Sequence, residues 1–268
     1  MASDLSPNLS PHAIPVMIGN RNPCPAYPQP VQPPQLRTVR RDNRAITALS
    51  LPRIMLANHR SIFPKFNHLI DEVLEMNMQL GLHSEVWEDS ENSLHANKVE
   101  EALELHGIQY ISTPRVNRKG GGAAITLIKD SPFLLTKLSP PLKQGEECLE
   151  ICWGLLKLKQ PTSQIKYIIV CSFYLPPRSR KKSALVNHIS LNYSILKSTY
   201  PDSAFILGGD KNDLNLQLLL DIDPNFSQLV TLPTHRQSIL CVLITDLGKY
   251  YGVPLIRPAL QPNYCPAI

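Results

Sequence analysis

The sequence predicts a layered α/β sandwich, two mixed β-sheets flanked by helices and preceded by a disordered N-terminal tail. Three observations lead there. From residue 51 onward, strand-sized apolar runs alternate with segments of helical periodicity. Two of those runs, residues 148–158 and 166–173, are joined by a turn holding Pro161. That pattern predicts a hairpin and argues against a purely parallel doubly wound sheet. Ten of the 25 prolines fall within the first 52 residues, interleaved with Ser, Asn and Gln. Such a composition cannot bury enough apolar surface to offset its ordering entropy. The expected division is therefore a Pro-rich tail at residues 1–50 and one domain at residues 51–268.

Within the domain the elements follow in order. Residues 53–57 (RIMLA) form a short apolar strand. Phe66, Leu69, Ile70, Val73 and Leu74 recur at helical spacing, and a second strand runs from Leu80 to Glu85. Residues 98–106 read as a short helix, with Gly107 where a left-handed cap belongs. Strands at 108–112 and 123–128 bracket the basic, glycine-rich turn RVNRKGGG. After the hairpin come a helix at 183–198, a buried strand AFIL at 204–207 ending in Gly208-Gly209, and a last strand at 239–244.

Composition limits the function classes. The 268 residues carry a formal net charge of +5, compatible with a nucleic-acid partner without requiring one. Six cysteines form no C-x-x-C pair and sit near no His at zinc-ligand spacing, so they read as reduced thiols of an intracellular protein, nuclear or cytoplasmic. The longest apolar runs are strand-sized, far short of the ~20 residues of a membrane span, so no membrane partner is expected.

Three polar sites stand just beyond apolar strands, where loops converge in open α/β sheets. They are Asn58 after RIMLA, Glu85 in the tract HSEVW, and Asp210 with Asn212 after AFILGG. Taken singly, a strand-end Asn or Asp is more often a turn or helix cap, and Glu85 a rim carboxylate. Together, two carboxylates and an amide oxygen make a donor set suited to a hard cation such as Mg²⁺. The basic tracts holding Arg115, Arg118 and Lys119, and Arg178, Arg180 and Lys181, are candidate phosphate contacts, weighed against a solvated-loop reading. The arginines that close the tail read first as solvated.

The series LANHRS, SEVW, GGGAAI, FYLPP and GGDKND, in that order, resembles the endonuclease domain of non-LTR retrotransposons. These belong to the apurinic-endonuclease-like branch of the endonuclease/exonuclease/phosphatase family. The resemblance covers residues from about 51 to the end and implies a DNA endonuclease dependent on Mg²⁺, with Mn²⁺ as substitute. It implies Glu85 as principal metal ligand, Asn58 as a helper to the metal and its waters, and Tyr174 as a hydroxyl contact to the scissile phosphate. Asp210 would orient or deprotonate the attacking water, and Asn212 would touch phosphate or nucleophile. A full-length element would add a reverse transcriptase domain.

Two departures from the family pattern stand out. Cys241 occupies the place of the family's late Asp, and no S-D-H tract occurs, so the domain is expected to be truncated at its C-terminal end and catalytically impaired. His235 precedes the last strand rather than following it and is a poor substitute. The rival readings are a decayed, non-catalytic remnant that binds nucleic acid, and another branch of the family acting on phosphoinositides or messenger-RNA tails.

Overall fold

The structure, a computed structural model, describes residues 51–88, 94–115, 120–160 and 164–256. The expected tail, Arg118, Lys119 and the Pro161 turn lie outside these residues.

Among the described residues ten strands build two mixed sheets. β1 (Ile54–Asn58), β2 (Leu80–Ser84), β3 (Ile108–Thr113) and β4 (Ala123–Ile128) form the first, in the order β1-β2-β4-β3. β5 (Phe133–Leu138), β6 (Glu150–Leu158), β7 (Tyr167–Tyr174), β8 (Ser203–Asp210), β9 (Ser227–Gln228) and β10 (Cys241–Thr245) form the second, in the order β5-β6-β7-β8-β10-β9. The β1–β2 and β7–β8 pairs are parallel and the other pairs antiparallel. The predicted hairpin is β6–β7. Helices α1 (Phe66–Glu75) and α2 (Leu94–Leu105) accompany the first sheet, and α3 (Lys182–Thr199) and the short α4 (Gln217–Leu220) accompany the second.

Strands with two buried faces read as continuous apolar runs, and the side-chain period of two sorts each run into two cores. In β7, Ile168 and Val170 join Leu82, Ile125 and Leu156 between the sheets. Their neighbours Ile169, Cys171 and Phe173 pack outward on Leu185, Ile189 and Leu196 of α3. The first sheet does the same, turning Met55 and Ala124 toward Leu69, Ile70, Val99 and Leu103. The result is a four-layer α/β/β/α sandwich, the class the sequence predicts. The sheets approach so closely at Gly208 that a Cβ there would lie 2.5 Å from Leu82 Cδ1.

Two strands and one α-helix were not foreseen. β5 alternates buried and exposed residues and stands at a sheet edge, so its apolar signal is half that of its neighbours. β9 and α4 are two and four residues long, shorter than any window over which periodicity can be read.

Candidate active site at the shared edge of the two sheets

β1 and β2 run parallel with Asn58 opposite Ser84, so both strands deliver their last residues to the same edge. Glu85 follows at once in a left-handed conformation (φ 54°), and its carbonyl accepts the N–H of Ser61 at 2.8 Å. In the second sheet the register places Glu150 opposite Tyr174, Tyr174 opposite Asp210, and Asp210 opposite Cys241. Four residues on four adjacent strands therefore stand in one row at the sheet edge.

Asn58 joins the two sheets. Its Nδ2 donates to Glu85 Oε1 at 2.9 Å and to Asp210 Oδ2 at 2.8 Å, so the two carboxylates lie within twice a hydrogen-bond length of each other. Its own oxygen accepts the Arg60 N–H. Asn58 and Asp210 are 4% and 3% exposed, and Glu85 is half-buried. Burial pushes the Asp210 carboxyl up to about 6; the Glu85 charge acts in the same direction, and the bonds from the Asn212 N–H and from Asn58 act against it. Burial first, then the facing charges of Glu85 and Asp210, hold the Tyr174 hydroxyl firmly in its protonated form. Asn212, at φ 44°, caps Asp210 Oδ1 through its backbone N–H (2.9 Å), and its side chain donates to the Leu175 carbonyl (2.8 Å). The amide thus braces the Asp210 loop against the Tyr174 loop.

The glycine tract closes the site from the other side. Gly120, Gly121 and Gly122 all have φ near +80°, and the Gly121 carbonyl accepts the Trp87 N–H at 2.8 Å. Glu150 accepts the Gly122 N–H at 2.6 Å and pairs with Arg115 Nη2 at 2.8 Å, while the Arg115 guanidinium lies 5.7 Å from the Tyr174 ring centroid. Burial raises the Glu150 carboxyl, opposed by Arg115 and Gly122. Sequence reasoning missed Glu150. The available signal was that β6 runs antiparallel to β7, so its first residue shares an edge with Tyr174. It also missed the buried ring pair His59 Nε2···His83 Nδ1 (2.9 Å), which continues to Thr126 Oγ1 (2.8 Å) behind the first sheet.

Of the basic candidates, Arg115 is committed to Glu150, while Arg178, Arg180 and Lys181 line a pocket of about 490 Å³ beside Tyr174. His235 sits in a tight bridge with Ser238, before β10. Cys241 is fully buried in the core between the sheets.

The donor set fits a divalent cation. Two carboxylates converge on one amide, and their mutual repulsion is what a divalent charge would relieve. Among the described residues no three His, Cys, Asp or Glu side chains gather at one point. The set therefore suits a cation that keeps water and phosphate oxygens as further ligands.

The layers and strand order are those of an endonuclease/exonuclease/phosphatase-like fold. Among solved structures, the chain is similar to AP endonuclease LMAP from Leishmania major (10% identity, 80% of this chain and 85% of that one, TM-score 0.58). It is also similar to a humanized D. rerio TDP2 (8% identity, 75% and 85% covered, TM-score 0.51). A third likeness is to the endonuclease domain of TRAS1, a telomere-specific non-LTR retrotransposon (16% identity, 72% and 84% covered, TM-score 0.49). No protein-family model matches the sequence, and no curated protein does. Among the described residues no helix is long and apolar enough to cross a membrane.

Proposed function

We propose that the chain is a divalent-cation-dependent phosphodiesterase acting on DNA, an endonuclease of the non-LTR retrotransposon type with reduced catalytic power. The observation that carries this reading is the Asn58 amide holding Glu85 and Asp210 together across the two sheets. Glu85, with Asn58 beside it, would hold Mg²⁺ or Mn²⁺, which when bound would neutralise phosphate charge and stabilise the leaving oxygen. Asp210, buried and capped by Asn212, takes the proton of the attacking water. Tyr174, kept protonated, donates to a non-bridging phosphate oxygen as charge builds there. In an element of this type the 3′-hydroxyl left by the nick would prime a reverse transcriptase. The domain is taken as residues 51–268.

A second reading, metal and DNA binding without cleavage, is favoured by Cys241. A buried thiol faces Asp210 in register where the resemblance calls for a carboxylate. Supercoiled-plasmid nicking in Mg²⁺ decides between them. Glu85-dependent nicking, abolished by EDTA and by Glu85→Ala, is the expected outcome. Cys241→Asp should not raise that rate, because a carboxylate in register with Asp210 brings like-charge repulsion to a buried edge. DNA binding with no Glu85-dependent nicking would establish the second reading.

A further inference from the structure

We propose that the pocket beside Tyr174 is a nucleotide site that works without the cation. It takes the nucleotide adjoining the cleaved phosphate, base against an apolar floor and phosphate on a cationic rim. The inference rests on the phosphodiesterase reading above.

The pocket, about 490 Å³, falls in the size range of small-molecule sites. Its floor is made by Leu149, Leu175 and Leu185, all buried, with Pro176 and Pro177 adding flat apolar faces. Its rim carries Arg178, Arg180 and Lys181. Among the described residues none of these three is in an ion pair, whereas Arg115 on the same wall is paired with Glu150 and the next cation along the chain, Lys182, with Asp213. Lys181 is partly engaged, its Nζ donating to the Cys148 carbonyl at 3.1 Å and its charge acting on Glu150 in the same wall. Arg178 and Arg180 are thus the rim cations left for a ligand, complementary to a base that carries a phosphate.

The loop that bears them is set in place. Arg178 adopts φ 57°, a left-handed conformation unfavourable for a non-glycine residue. Its N–H is held by Asp213 Oδ1 at 3.2 Å, and the Ser179 N–H closes a turn onto the Pro176 carbonyl. So placed, Arg178 stands between this pocket and a second, open one of about 630 Å³ lined by Asn212. The pocket meets the candidate active site through Tyr174, the register partner of Asp210. Glu85, Asn58 and Asp210 do not line it. Occupancy should therefore be independent of the cation.

The test is calorimetric titration of the chain in EDTA with dAMP, dTMP and inorganic phosphate, alongside plasmid nicking in Mg²⁺. Saturable nucleotide binding, about tenfold or more tighter than phosphate, is expected from burial of one base against the apolar floor. It should weaken about tenfold or more in the Arg178→Ala/Arg180→Ala double variant and be unchanged in Glu85→Gln. Equal affinity for phosphate and nucleotide, no saturable binding, or loss of binding in Glu85→Gln would each overturn the proposal. Nicking without nucleotide binding removes the pocket but leaves the phosphodiesterase. Nucleotide binding without Glu85-dependent nicking does the reverse.

Discussion

Asn58 is a neutral spacer between two acids, and its neutrality is what lets both come close. An amide Nδ2–H₂ can donate to both carboxylates at once, as it does here at 2.9 and 2.8 Å. Replacing it with Asp would put three carboxyl groups at one edge with no donor among them. Asn58→Asp should therefore lose on the order of 1–3 kcal/mol of stability in EDTA, read as a fall in Tm. Millimolar Mg²⁺ should restore most of it, because a ligand of the folded state stabilises by mass action. An EDTA-insensitive Tm in this variant would mean that the three groups are not a cation site. The positions of Asn58, Glu85 and Asp210 after apolar strands were legible in the sequence, because strand ends are readable from composition alone. The amide's role as a bridge was not, since it depends on two sheets packed face to face with these strand ends at a common edge. Glu150 was hidden for a related reason: its meaning comes from the register of β6 against β7, not from any neighbour along the chain.

At the scale of elements, the turn between β3 and β4 carries the most specific demand on sequence. Gly121 has φ +78°, and a Cβ there would lie 2.0 Å from Glu150 Oε2 and 2.4 Å from Arg115 Nε. Gly121→Ala would meet both penalties, an unfavourable backbone angle and expulsion of the Arg115–Glu150 pair from its place beside Tyr174. A loss of ~2–4 kcal/mol in urea unfolding is expected, with nicking falling further than folded fraction alone accounts for. A Gly121→Ala chain with wild-type stability would show that the turn has room the structure denies it. The sequence displayed GGG as a turn, and that much was legible without partners. Long or doubly buried elements were legible too: β7 and β8 are eight-residue strands buried along almost their whole length and built on the apolar runs YIIVC and AFIL, and α3 spans 18 residues. β5 escaped because an edge strand exposes every second residue, and β9 and α4 because two and four residues carry no period.

Across the whole molecule, each outer layer buries a histidine chain between sheet and helices. Under α3, Trp153 Nε1 donates to His188, whose other ring nitrogen meets Glu146 at 2.8 Å. Behind the first sheet, His59, His83 and Thr126 are joined in series, and the Lys65 ammonium donates to the His59 carbonyl. Burial lowers His59 to about 3, with the Lys65 charge adding to the effect, and lowers His83 well below its ordinary value, with His59 adding. The folded state therefore excludes protons that the unfolded chain accepts below its ordinary histidine value of 6.5. Stability from this pair is fully present above pH 6.5 and falls as pH drops below it, by up to ~1.4 kcal/mol per pH unit for each ring. Asp210 works the other way: its carboxyl, raised to about 6, binds a proton more readily when folded and recovers some stability between about 6 and 3.8. The two contributions are separable. Urea unfolding measured between pH 7.5 and 5 should show falling stability in the unmodified chain. The slope should be shallower by about one proton in His83→Gln, where the amide keeps polar partners for His59 and Thr126 without titrating. Identical slopes in the two proteins would mean that the rings are not held neutral inside the first outer layer, and that acid lability arises elsewhere in the sandwich.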